Sequence, residues 1–103
     1  MAKGYWIASV DVSDPESYQA YIKANAVPFR KFGARFLVRG GRSEAVEGRH
    51  RSRAVILEFK DFETALACYR SPEYTAAVEL RKAASEADVL VVEGYDGQQP
   101  ADK

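Results

Sequence analysis

Apolar residues recur at two different periods along this chain, and the switches between them mark out its elements. Gly4–Val12 (GYWIASVDV) alternates: Trp6, Ala8, Val10 and Val12 share one face, and Tyr5, Ile7, Ser9 and Asp11 the other. Both faces are partly apolar, which predicts a central strand covered on two sides. Ser13-Asp14-Pro15-Glu16 then reads as a helix start. Asp14 can accept from free N–H groups of the first turn, Pro15 stands where a missing N–H costs nothing, and Glu16 faces the positive end of the helix dipole. Tyr18, Tyr21, Ile22, Asn25, Ala26, Phe29 and Phe32 follow at helical spacing. Pro28 removes a backbone donor and crowds the preceding turn, so a kink or break is expected near Asn25. Gly33 is expected as a left-handed cap.

The stretch Ala34–Gly41 (ARFLVRGG) predicts a second strand ending in two glycines that permit a turn or bulge. Alternation puts Phe36 and Val38 on one face and Arg35, Leu37 and Arg39 on the other. A charged connector, 42–51, leads to a third strand at Arg53–Phe59. There Val55, Leu57 and Phe59 oppose Ala54, Ile56 and Glu58, and the two strands are expected to pair antiparallel as a long-looped hairpin. Asp61 caps a further helix with Phe62, Ala65, Leu66 and Tyr69 on its stripe. Ser71-Pro72-Glu73 repeats the start signal, opening a second helical piece with Tyr74, Ala77, Val78 and Arg81 on one face. Asp88–Tyr95 closes the series as a strand. Two strand–helix–strand units side by side predict an α+β, ferredoxin-like βαββαβ sandwich with a four-stranded antiparallel sheet and its helices on one face. The first, third and last strands nevertheless carry apolar side chains on both faces. A second copy of the chain is the simplest cover for the other one, so a homodimer through the open sheet face is expected.

Composition narrows the field. A length of 103 residues fits a single domain, read as 1–95 with a polar tail at 96–103. The apolar share of 47% excludes a disordered chain. Fifteen basic and fifteen acidic residues leave no net charge, which favours no polyanionic partner. The third strand of an RNA-recognition fold would need aromatic platforms where this one has aliphatics, so nucleic acid is not an expected partner. The single Cys68 permits no internal disulfide, and no signal-peptide or membrane-spanning stretch is visible. Cytoplasmic residence and no membrane partner are the default expectations. No phosphate loop, dinucleotide fingerprint or zinc spacing occurs, so neither a cofactor nor a metal is expected.

Taken in order, K-G-Y-W-I at Lys3–Ile7, D-P-E-x-Y at Asp14–Tyr18, R-F-L-V-R-G-G at Arg35–Gly41, E-G at Glu47-Gly48, Ile56–Phe59, S-P-E-Y at Ser71–Tyr74, L-R at Leu80-Arg81 and V-V-E-G at Val91–Gly94 form a set. That set resembles the bacterial domain-of-unknown-function 1330 family, in the dimeric alpha-beta barrel superfamily. The resemblance runs from Lys3 to Tyr95 and implies the dimeric alpha-beta barrel that the two-faced strands suggest independently. It implies no settled activity: superfamily relatives include cofactor-free monooxygenases, muconolactone isomerase-like enzymes and chlorite dismutase-like haem proteins.

Several residues are candidates for chemistry. Arg39, beside Gly40, can clamp a carboxylate while the glycine lets a ligand approach the backbone; the plainer reading is a solvated arginine beside a bulge. Tyr74 can bring a phenol and Arg81 a charge to a cleft, or they can serve as core and helix C-terminal partner. Tyr18 and Tyr21 beside Trp6 can line an aromatic pocket with polar tips, or form ordinary core. Asn25 is an amide that must find partners if buried. Glu58 suits a general base if its face is desolvated, or pairs with an arginine such as Arg39. His50 is expected in solvent, and Cys68 as a buried structural thiol. Glu58, Tyr18 and Tyr74 are thus the catalytic candidates, with Arg39, Gly40, Trp6, Tyr21, Asn25 and Arg81 for substrate binding. The expected function is binding or conversion of a small acidic or carbonyl metabolite without a cofactor. The alternative is a non-catalytic small-molecule-binding or structural homodimer.

Overall fold

The computed structural model describes residues 2–102. Strand β1 spans Gly4–Val12, helix α1 Pro15–Phe32, β2 Arg35–Arg39 and β3 Arg53–Phe59. Helices α2 (Phe62–Arg70) and α3 (Pro72–Ala84), strand β4 (Ser85–Glu93) and a 3-10 turn at Pro100–Asp102 follow. The four strands form one sheet in the order β2-β3-β1-β4, with every pairing antiparallel. This is the ferredoxin-like arrangement, with the helices packed on one face.

Local chemistry sets the helix ends. Asp14 accepts from the Ser17 N–H at 3.2 Å and its hydroxyl at 2.8 Å, and these bonds hold its carboxyl below the usual range. Gly33, with φ 70°, closes α1 in the left-handed region, and its neighbour Ala34 donates to the Phe29 carbonyl at 2.9 Å. Pro28 does not break α1, which runs through it; the side chain is buried, and the Cys68 thiol approaches the Pro28 carbonyl at 3.8 Å. Proline costs a helix one donor and a clash with the preceding turn, and burial of this ring in the core offsets that cost. Ser71 joins α2 to α3. Its hydroxyl donates to the Cys68 carbonyl at 2.7 Å and accepts from the Tyr74 N–H at 3.1 Å, so one side chain ends one helix and starts the next.

Two strands depart from the expected bounds, and one changes the site. β4 begins at Ser85, directly after α3 and ahead of the expected Asp88. The last carbonyl of α3, on Ala84, accepts from the Ser13 and Asp14 N–H groups at 2.9 and 3.1 Å, so the β1–α1 turn pins the chain where β4 starts. In β2, Phe36 stands opposite Leu57 but Val38 stands opposite Ile56 and Arg39 opposite Val55. The register slips inside the strand, before the glycines. Arg39 is thereby moved from the face opposite Phe36 to the face Phe36 occupies, its guanidinium carbon 4.0 Å from the Phe36 ring centre.

The core lies between sheet and helices and is built around Trp6. Its indole N–H donates to the Ala65 carbonyl at 2.7 Å, and its ring lies 4.9–5.4 Å from those of Phe29, Phe59, Tyr69 and Tyr74. On the opposite face of the sheet, Ile7 pairs across with Ile56 on one side and Leu90 on the other, forming an apolar row. Ile7 and Leu90 are 44% and 58% exposed, so the described residues leave this row largely uncovered.

Candidate functional site

A cavity of about 30 Å³ lies between α1, α3 and the helix-covered face of the sheet, with room for about two waters. Trp6, Tyr18, Tyr21 and Asn25 line it, together with Arg39, Tyr74 and Arg81. Most of the sequence candidates are therefore brought to one place. Tyr18, Tyr21 and Asn25 arrive on the buried stripe of α1, Tyr74 and Arg81 on that of α3, and Trp6 from the centre of β1.

Two candidates stand elsewhere. Glu58 is on the open face, where the Tyr5 hydroxyl donates to its carboxylate at 3.1 Å. Its cross-strand arginine is Arg35, not the expected Arg39, because the slip in β2 carries Arg39 away. Gly40 does not line the cavity but makes room for a residue that does. It has φ 68°, donates to the Ala54 carbonyl at 2.8 Å, and leaves space that a Cβ would take from the Arg53 guanidinium.

Arg53 is the site residue that sequence reasoning missed. It shares the face of Val55 and Leu57, lines the cavity and lies with its guanidinium carbon 5.7 Å from the Tyr18 ring centre. Simple alternation back from Val55 would have found it.

The cavity wall is rich in cations and bare of anions. Arg39, Arg53 and Arg81 line it and, among the described residues, no aspartate or glutamate does. Arg81 is only 6% exposed, makes no ion pair, and its Nε is buried without an acceptor. Burial works against its charge and the oxygens of Tyr74 and Tyr21 favour it; the net shift is upward, and Arg81 is a cation. Arg53 Nε is likewise buried and unpartnered. Leaving a buried cation without a partner is costly, and folded proteins rarely tolerate it without a purpose.

The phenols form the other half of the site. The Tyr21 and Tyr74 hydroxyls meet at 2.7 Å, a buried contact between helices distant in the chain. Burial pushes both pKa values up, Tyr74 far above the ordinary phenol value, so both are neutral hydrogen-bond donors at physiological pH. Cys68, outside the cavity, is pushed up to about 12 by burial and is an inert thiol. His50 is exposed, with Nε2 2.8 Å from the Glu47 carbonyl. Among the described residues, no group of three or more His, Cys, Asp or Glu is placed to hold a metal ion.

These features define a class: a ferredoxin-like α+β protein with a cationic, phenol-lined cavity between helices and sheet. The family model described as "Domain of unknown function (DUF1330)" matches residues 3–95, and the chain belongs to that family. Among solved structures, a protein of unknown function from Rhodopseudomonas palustris is similar at 19% identity and TM-score 0.74, over 93% of this chain and 85% of that one. SnoaB, a cofactor-independent oxygenase from Streptomyces nogalater, is similar at 11% identity and TM-score 0.63, over 97% and 99%. A dimeric ferredoxin-like protein of unknown function from Thermobifida fusca is similar at 16% identity and TM-score 0.58, over 89% of each chain. At these identities the likeness is one of fold. No curated protein matches the chain. No helix among the described residues is long and apolar enough to cross a membrane.

Proposed function

We propose that this protein binds a small acidic or carbonyl metabolite, without a cofactor, in the cavity between α1, α3 and the sheet. The observation that carries the reading is Arg81: a buried guanidinium, with an unpartnered Nε, in a wall that holds no carboxylate. A ligand anion supplies the missing counter-charge. Arg53 and the more exposed Arg39 extend the positive wall, and Tyr18, Tyr21, Tyr74 and Asn25 add hydrogen-bonding groups.

The same geometry bears on conversion. The cavity offers neutral donors and cations, which stabilise a developing oxyanion, but no carboxylate to abstract a proton. Glu58, the expected base, is bonded by Tyr5 on the opposite face. This favours binding, or a reaction that an already ionised ligand undergoes, over proton abstraction by the protein. The open face supports a homodimer: the exposed row of Ile7, Ile56 and Leu90 across three strands suits a second copy of the same sheet.

Trp6 is the only tryptophan of the chain and lines the cavity, so its fluorescence reports occupancy. Titration with short carboxylic acids is expected to give a saturable change that their neutral methyl esters do not. Equal responses to acid and ester would refute an anion site. Sedimentation at micromolar concentration is expected to give a dimer; a monomer would remove the open face from the proposal.

A further inference from the structure

The cavity holds donors with nothing to donate to, and their placement says more about the ligand than its charge. Arg81 Nε is buried without an acceptor. The Tyr21–Tyr74 contact uses one phenolic hydrogen, and whichever hydroxyl donates, the accepting one retains its own. Beyond that contact, the Asn25 amide lies beside the Tyr21 hydroxyl and the Arg81 guanidinium beside the Tyr74 hydroxyl, each as a further donor, so the remaining phenolic hydrogen still lacks an acceptor. The guanidinium is close to both phenols: its charge favours the ionised form of each, against burial. A cation without a counter-charge, its Nε unpartnered, and a neutral donor with a free hydrogen are therefore neighbours beside a space of about 30 Å³.

A simple carboxylate satisfies the guanidinium and leaves the phenol idle. A carboxylate with a further acceptor on the adjacent carbon satisfies both. A 2-hydroxy acid would bring an extra donor into a wall short of acceptors; a carbonyl oxygen brings only lone pairs. Building on the acidic-metabolite reading, we propose that the ligand is a short-chain 2-oxo acid, its carboxylate on Arg81 and its carbonyl oxygen accepting the free hydrogen of the Tyr21–Tyr74 pair. At about 30 Å³ the cavity is smaller than even the shortest such acid, so binding must shift the side chains that line it, and a compact ligand demands the least movement. The phenols fix the carbonyl and tell such an acid from its deoxo analogue.

Three small probes separate the contributions in the unmodified protein: pyruvate, propionate, which lacks the carbonyl, and methyl pyruvate, which lacks the charge. Trp6 fluorescence and calorimetry are expected to rank pyruvate first, propionate about tenfold weaker, and methyl pyruvate weaker still. Removing the free hydrogen by combining Tyr21→Phe with Tyr74→Phe is expected to bring pyruvate to the propionate affinity, while propionate changes less than about threefold. Equal binding of pyruvate and propionate by the native protein would overturn the 2-oxo contact and leave the acid site standing. Binding of neither acid would overturn both readings. Equal loss of both acids in the double variant, with the native ranking as expected, would show the phenols to be packing rather than recognition and so overturn the assignment of the carbonyl to them. The native ranking needs no variant to fold, so the idea is testable even if the substitutions damage the core.

Discussion

Two arginines on opposite faces of one sheet show how differently this molecule treats charge. Arg51, at the open-face end of the β2–β3 connector, meets Asp11 at 3.1 Å, Asp88 at 3.0 Å and Glu86 at 3.4 Å. Those carboxylates are half to largely exposed, and the cluster is satisfied by its own members. Arg81, on the helix-covered face, is buried and meets no carboxylate among the described residues. Charge in solvent that is already paired is structural decoration of small net worth. Charge buried without a counter-ion costs far more, and that cost is what the proposed ligand offsets. The contrast, rather than the number of polar residues, separates a site from a surface.

Replacing each side of the contrast tests it, and the largest effect is expected at Arg81. Arg81→Met keeps most of the volume and removes the charge. Acid binding is expected to fall by roughly 100-fold or more, while the melting temperature stays level or rises, because an uncompensated buried cation is lost. A clear fall in melting temperature with binding retained would make Arg81 a structural residue. Next in size is the open face. Leu90→Glu puts a charge in the row shared with Ile7, and sedimentation is expected to shift from dimer to monomer without altering Trp6 emission in the cavity. Persistence of the dimer would place the contact elsewhere.

A smaller effect follows from the phenols. Tyr21 and Tyr74 have pKa values raised by burial above the ordinary 10.0. Their contribution to stability is full below pH 10, and it is lost as pH climbs from 10.0 through the folded values, because the unfolded chain ionises first. Alkaline melts are expected to show this loss above pH 10, and to show less of it when Tyr74→Phe is introduced. Identical alkaline profiles would remove the buried pair from the account. The smallest effect is expected at Arg51→Ala: a slight drop in melting temperature that shrinks further in high salt, with ligand binding unchanged. Cys68 gives an independent check on packing. With its thiol pushed up to about 12, a thiol reagent at pH 8 is expected to label the native protein only as fast as it opens.

Much of this architecture is legible in the sequence because it rests on local chemistry. The periods of two and of helical spacing, the Asp14-Pro15-Glu16 and Ser71-Pro72-Glu73 starts and the Gly33 cap act within a few residues, and each stands where the pattern predicts. The aromatic and polar stripe of α1 and the face shared by Tyr74 and Arg81 follow from the same periodicity, so most of the cavity lining was visible before the fold. The two-faced strands likewise announce an uncovered sheet face.

What only the tertiary structure decided depends on partners distant in the chain. Alternation holds while register holds, and the slip between Phe36 and Val38 is set by pairing with β3, so no reading of β2 alone could turn Arg39 toward the cavity. Glu58 keeps the face that alternation gives it, but only the pairing of β1 with β3 sets the Tyr5 hydroxyl against it. The 2.7 Å contact of Tyr21 with Tyr74 exists because α1 and α3 pack side by side, and Arg81 lacks a counter-charge because no acidic residue among those described reaches the same cavity. Periodicity assigns a side chain to a face; whether a charge on that face finds a partner is a property of everything packed around it, and the proposed site rests on that property.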